Sequence, residues 1–99
     1  MAKVEWTKKS IESIYQISEF YKVKSPKYAD RLVDKFFEKG DLLGQFPKLG
    51  RQVPEFKSPL IRELLFQNFR IIYKYEKDLI QILTIHNGLT PLSDKSIFD

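Results

Sequence analysis

No cysteine occurs among the 99 residues, which excludes disulfides and thiolate metal ligands and makes a reducing cytoplasm the expected compartment. The sequence holds one histidine and four glycines, and the glycines form no phosphate-cradling loop. No apolar run approaches a membrane span, and Met1 to Trp6 lacks the apolar stretch of a signal peptide. A strong charge of one sign is missing too. The 17 Lys and Arg against 13 Asp and Glu leave +4, and the signs alternate along the chain, so net charge makes no case for a nucleic-acid partner. With no metal-ligand cluster and no serine or cysteine nucleophile, neither a metal nor a cofactor is expected, which disfavours a conventional small-molecule enzyme.

What is present is core-forming material. Apolar residues make up 42% and aromatics 14%, enough for one folded domain over residues 1–99. Lys3 to Trp6 reads as a short strand. Thr7 then suits a helix N-cap, with Trp6 and Ile11 at the spacing of a hydrophobic staple. Ile11, Ile14, Tyr15, Ser18 and Tyr21 fall on one side at helical spacing, with Ile17 at its border. Ser25 and Pro26 restart a helix as cap and first position. Its apolar stripe runs through Ala29, Leu32, Val33, Phe36, Phe37 and Leu43 to Phe46, with Gly40 as a weak point or a close contact.

Pro47 ends that helix, and Pro47 to Glu55 has the turn chemistry of an ordered loop. Three apolar-rich segments follow: Leu60 to Phe66, Phe69 to Glu76 and Leu79 to His86. Gln67-Asn68 and Lys77-Asp78 separate them at hairpin length, which predicts an antiparallel meander covered on one face by the helices. The fold class is therefore α+β.

Alternation puts Phe69, Ile71, Tyr73 and Tyr75 on the helix side of the middle strand, with Arg70, Ile72 and Lys74 opposite. In the last strand the same rule sends Leu83 and Ile85 inward, and Ile80, Ile82, Thr84 and His86 outward. Arg62 shares the parity of Leu64 and Phe66 and fits either face. An outer face mixing isoleucines with cations suggests a surface for another chain. The alternative is that the C-terminal tail, Asn87 to Asp99, folds over it.

Trp6-Thr7 opening a helix, Pro47-x-x-Gly50-Arg51-x-Val53-Pro54-Glu55, Ile61-Arg62-Glu63-Leu64, Phe69-Arg70-Ile71-Ile72-Tyr73 and Ile82-x-x-Ile85-His86 stand in order from about Val4 to His86. This set resembles the RelE/ParE toxin superfamily, and the Pro-x-x-Gly-Arg loop and Ile-Arg-Glu-Leu strand are closest to its ParE-like, plasmid-stabilisation branch. The resemblance implies a β-α-α-β-β-β fold and the toxin half of a type II toxin–antitoxin module, growth-inhibitory and joined to an antitoxin as a hetero-oligomer. It implies either DNA gyrase as target, without chemistry of its own, or messenger RNA on the ribosome, cut by an endonuclease. A degenerate member that only binds antitoxin is the third reading.

The resemblance also supplies candidate site residues. Arg70 matches an arginine that lies near the scissile phosphate in RelE-like nucleases, where a guanidinium stabilises negative charge. The alternative for Arg70 is a surface residue paired with Glu63 or the C-terminus. His86 ends the last strand, where some family nucleases place an acid–base group. Arg62, Lys74, Ile72, Ile82 and Thr84 are the expected target- or partner-binding set. Arg51 is expected to fix its loop through carbonyl groups. Many superfamily members carry an arginine three positions after the histidine. Leu89 stands there, which weighs against the nuclease.

Overall fold

Thr7 sets the start of the first helix, α1 (Lys8–Lys22), in the computed structural model of the chain. Its Oγ1 accepts from the Ser10 N–H at 3.1 Å, and its hydroxyl donates to the carbonyls of Ile82 and Leu83 at 2.7 and 3.1 Å. One side chain thus caps a helix and ties it to a strand 75 residues away. The structure describes residues 1–88, 92 and 93.

The second helix, α2 (Pro26–Gln45), begins as the sequence predicts, with Ser25 Oγ accepting from the Tyr28 N–H and Pro26 in the first turn. The strands are β1 (Lys3–Trp6), β2 (Arg51–Gln52), β3 (Ile61–Phe66), β4 (Phe69–Glu76) and β5 (Leu79–Asn87). They form one sheet in the order β1-β5-β4-β3-β2. β3, β4 and β5 are the expected antiparallel meander, and β1 lies parallel to β5 along its far edge. The two-residue β2, within the expected loop, adds a short fifth strand against β3.

Helices and sheet share one core. Ile14, Leu32, Phe36 and Leu43 pack on Phe69, Ile71, Tyr73, Ile80, Ile82 and Ile85. The Phe36 ring meets Phe66 and Phe69 edge-on, with centroids 5.6 and 5.2 Å apart. Gly40 is the close contact: a Cβ there would fall inside the Trp6 indole. Trp6 also packs against Phe37 at 4.8 Å. On α1 the buried stripe is Ser10, Ile14 and Ser18, with Ile17 and Tyr21 against the core. Tyr15, expected on that stripe, is half exposed, as is Phe46 at the end of α2.

The face assignment of β4 agrees with strict alternation, whereas that of β5 requires a correction. β4 and β5 change register between Ile72 and Tyr73: Ile72 pairs with Thr84 but Tyr73 with Ile82. Leu83 is the extra residue of a β-bulge, and a bulge shifts parity. Ile80, Ile82 and Ile85 therefore all reach the helix-side core, against the expectation for Ile80 and Ile82. Leu83, expected inside, borders a second cluster on the outer face.

That second cluster consists of Val53, Ile61, Ile72 and Leu92, with Phe56 and Leu83 beside it. Leu92 thus lies over the outer strip, as the tail alternative anticipates. Leu89 and the tail residues 90, 91 and 94–99 fall outside the described residues. Among the described residues, no helix is long and apolar enough to cross a membrane.

Candidate functional site

The outer face of the sheet is organised around a carboxylate in a strand. Glu63 follows Ile61 at a period of two, so its side chain enters the buried side of β3, and only 1% of the residue is exposed. An ionised carboxylate at such depth requires cations. The register supplies them: Arg51 of β2 stands directly opposite Glu63, and Arg70 of β4 pairs with Leu65, two residues further along β3.

Arg51 Nε donates to Glu63 Oε2 at 2.7 Å, and Arg70 Nε donates to Glu63 Oε1 in a very short bond. Arg70 then turns both Nη groups to Glu55, with Nη1 and Nη2 each 2.7 Å from a carboxylate oxygen. The result is an alternating chain, Arg51–Glu63–Arg70–Glu55, with two cations and two anions. Every buried side-chain nitrogen and oxygen among the described residues has a hydrogen-bond partner. The Arg70 hydrogen bonds hold the Glu55 carboxyl down at about 2, against a desolvation effect that raises it. Glu55 and Glu63 in turn hold the Arg70 guanidinium well above its ordinary value.

Beside this chain opens a cleft of about 390 Å³. Arg51, Pro54, Leu65, Gln67, Asn68 and Gly88 line its rim, and Glu55 and Arg70 line it as well. Gly88 is required where it stands, because a Cβ would approach the Asn68 carbonyl oxygen to 2.9 Å while the Gly88 N–H donates to that same oxygen at 2.7 Å.

The structure brings some of the sequence-derived candidates together and separates others. Arg70 is buried inside the ion chain, paired with Glu63 as one reading of the sequence has it. His86 stands across from Arg70 in the β4–β5 register and is half-buried. Ile72 lies on the same outer face but is fully covered by the second apolar cluster. Lys74, also on that face by alternation, is partly exposed and pairs with Glu76 at 3.3 Å.

Arg62 takes the other side. It shares the parity of Leu64 and Phe66, which pack on the helix-side core. Its Nη1 donates to the Gly50 carbonyl at 2.9 Å. Arg62 thus performs the carbonyl-holding task expected of Arg51, and Arg51 serves the carboxylate of Glu63 instead. The Tyr73 hydroxyl works on the same loop, donating to Pro47 O at 2.7 Å and accepting from the Gly50 N–H at 3.0 Å. Burial raises the Tyr73 pKa.

Ile82 is fully buried beneath the helices, and Thr84 is buried with its hydroxyl 3.0 Å from that of Ser13 on α1. Neither presents surface in this structure. The residue that sequence reasoning misses is Glu55. Its position in a Pro-flanked loop reads as solvated turn, and only the register of β2, β3 and β4 brings it to Arg70. Among the described residues, no group of three or more His, Asp or Glu is arranged to hold a metal ion.

Comparison with known proteins matches the chain to a family and to solved structures. Residues 4–89 match the family described as the ParE toxin of the type II toxin–antitoxin system parDE. The fold also matches a solved chain of the chromosomal ParDE TA system from P. aeruginosa, with a TM-score of 0.74 and 27% sequence identity. That alignment covers 88% of this chain and 96% of the other. No curated protein matches the sequence.

Proposed function

The chain belongs to the ParE toxin family of type II toxin–antitoxin systems, and from that membership we propose that it inhibits growth by binding DNA gyrase and is neutralised by a cognate antitoxin. Its action is that of a binding protein, with no bond made or broken by its own side chains. The target places its site of action in the cytoplasm, and the antitoxin makes its resting form a hetero-oligomer.

The observation that favours binding over RNA cleavage is the state of Arg70. Stabilising a phosphoryl transition state requires a guanidinium with donors aimed at the place where charge develops. All three guanidinium nitrogens of Arg70 are instead engaged with Glu55 and Glu63. An incoming phosphate would have to displace carboxylates that already match the fork geometry of arginine.

Inducible expression of the full chain tests the toxin reading. Growth is expected to stop on induction and to resume when a cognate antitoxin is co-expressed. Unchanged growth at confirmed protein levels would overturn it.

A further inference from the structure

β3 is longer than the strand that covers its outer edge. β2 pairs with Arg62 and Glu63 and reaches no further towards Phe66. Leu60 O accepts from the Tyr75 N–H, and Ile61 O accepts from the Val53 N–H. Even-numbered residues of β3 therefore turn their backbone groups to β4 and odd-numbered ones to the β2 side. Leu65 is the next to face that side, but the chain before Arg51 has left the edge. Gly50 donates its N–H to the Tyr73 hydroxyl, and its carbonyl accepts from Arg62 Nη1. Among the described residues, nothing bonds to the Leu65 N–H and C=O on the β2 side.

The cleft of about 390 Å³ runs along this open stretch, where Arg51, Leu65 and Gln67 line it. Its available polar groups are mostly donors. Arg51 gives Nε to Glu63, and its Nη groups make no further hydrogen bond among the described residues, on a side chain that is 60% exposed. Gln67 Oε1 accepts from the Tyr28 hydroxyl, which leaves the amide NH2 to donate. The carboxylate of the cleft, Glu55, is already held by both Nη groups of Arg70. On the helix side of the same edge, Lys39 Nζ stands 5.9 Å from the centre of the Phe66 ring. The edge thus has a cation on each face and an exposed leucine between them.

We infer that the open edge of β3 at Leu65 takes an extended, acidic segment of a partner protein, which continues the line of β2. One residue of the segment exchanges N–H and C=O bonds with Leu65, as in strand addition to a sheet. That residue stands two places from Arg51 along the same strand line, because Arg51 faces Glu63. Its side chain therefore shares the outer face with Arg51, and a carboxylate there meets the available Nη groups in a charge-assisted bond. The next residue turns to the helix side, where Lys39 receives a second carboxylate. Nucleic acid offers the negative charge without the paired N–H and C=O of a strand.

Titration of the isotope-labelled full chain with a short capped peptide of threonine and glutamate tests this by NMR. The Leu65 and Gln67 amide resonances are expected to move to saturation with a Kd of about 1 mM or tighter, while that of Ile14 in the helix-side core stays in place. The same peptide with lysine for glutamate, or with its backbone nitrogens methylated, is expected to bind at least about tenfold more weakly. Leu65→Pro removes the edge donor at a position where proline is tolerated, and is expected to abolish binding. Lys39→Gln, which touches neither the strand backbone nor the ion chain, is expected to weaken it by about two- to fivefold. No movement at Leu65 up to about 10 mM glutamate peptide would overturn the inference. Equal binding of the lysine or methylated peptide would overturn it too, as would tighter binding of a single-stranded oligonucleotide at the same residues.

Discussion

Arg70 and Glu55, 15 residues apart in the chain, meet side by side, each Nη of the guanidinium 2.7 Å from its own carboxylate oxygen. Together with the short bond from Arg70 to the buried Glu63, this contact gives the outer face of the sheet its electrostatic balance. It is also the reason the cation is withheld from other anions.

Arg70→Ala tests how much of the fold depends on that balance. The substitution leaves Glu63 buried with Arg51 as its remaining cation and removes both side-chain bonds of Glu55 to Arg70. Urea denaturation is expected to show a loss of about 3–5 kcal/mol, the usual cost of removing one partner from a buried ion pair. A loss below about 1 kcal/mol would mean that Arg70 is a surface residue in solution.

Glu55 gives the domain a predictable acid response. Its folded pKa, about 2, lies below the ordinary 4.5, so its contribution is complete above about pH 4.5 and fades as the pH falls toward 2. Because the group is partly exposed, solvent screening reduces the expected contribution to about 1–2 kcal/mol. Stability of the parent and of Glu55→Gln, measured by denaturation from pH 6 to pH 2, is expected to differ most at the upper end and converge at the lower. Parallel curves would contradict the pairing with Arg70.

Gly40→Ala sets helix propensity against packing. Alanine is favoured over glycine inside a helix by about 1 kcal/mol, yet its methyl would occupy the space of the Trp6 ring. Overpacking is expected to win, for a net loss of about 1–3 kcal/mol with a shift in the fluorescence of the single tryptophan. A gain in stability would show that β1 and α2 are less closely packed than described.

Asp78→Gly is expected to act in the opposite direction. Lys77 and Asp78 both have positive φ, 52° and 61°, in the two-residue turn between β4 and β5. Glycine adopts that conformation without a Cβ clash, so thermal denaturation is expected to show a gain of about 0.5–1 kcal/mol. An unchanged midpoint would indicate that the aspartate side chain offsets its backbone strain.

These residues also mark what was legible in the sequence. Thr7, Ser25 with Pro26, and the two hairpin separators act within a few residues of themselves, so helix starts and strand boundaries could be read directly. The faces of β4 followed from alternation for the same reason. Those of β5 did not, because the bulge at Leu83 coincides with the Thr7 hydroxyl reading two successive carbonyls, a contact no local pattern announces. The Glu55–Arg70 pair was hidden likewise: a loop carboxylate looks solvated until the two residues of β2 fix where its loop lies. Arg62 and Arg51 exchanged their expected tasks because only the pairing of β2 with β3 decides which arginine faces the carboxylate.

The gyrase action proposed for this family member is one of binding, with Arg70 serving the fold. Purified full-length protein, freed from antitoxin, should be added to DNA gyrase with relaxed plasmid and, in parallel, to programmed ribosomes. The expected result is loss of supercoiling with accumulation of cleaved plasmid, while ribosome-bound message stays intact. Normal supercoiling together with message cut on the ribosome would contradict the claim outright.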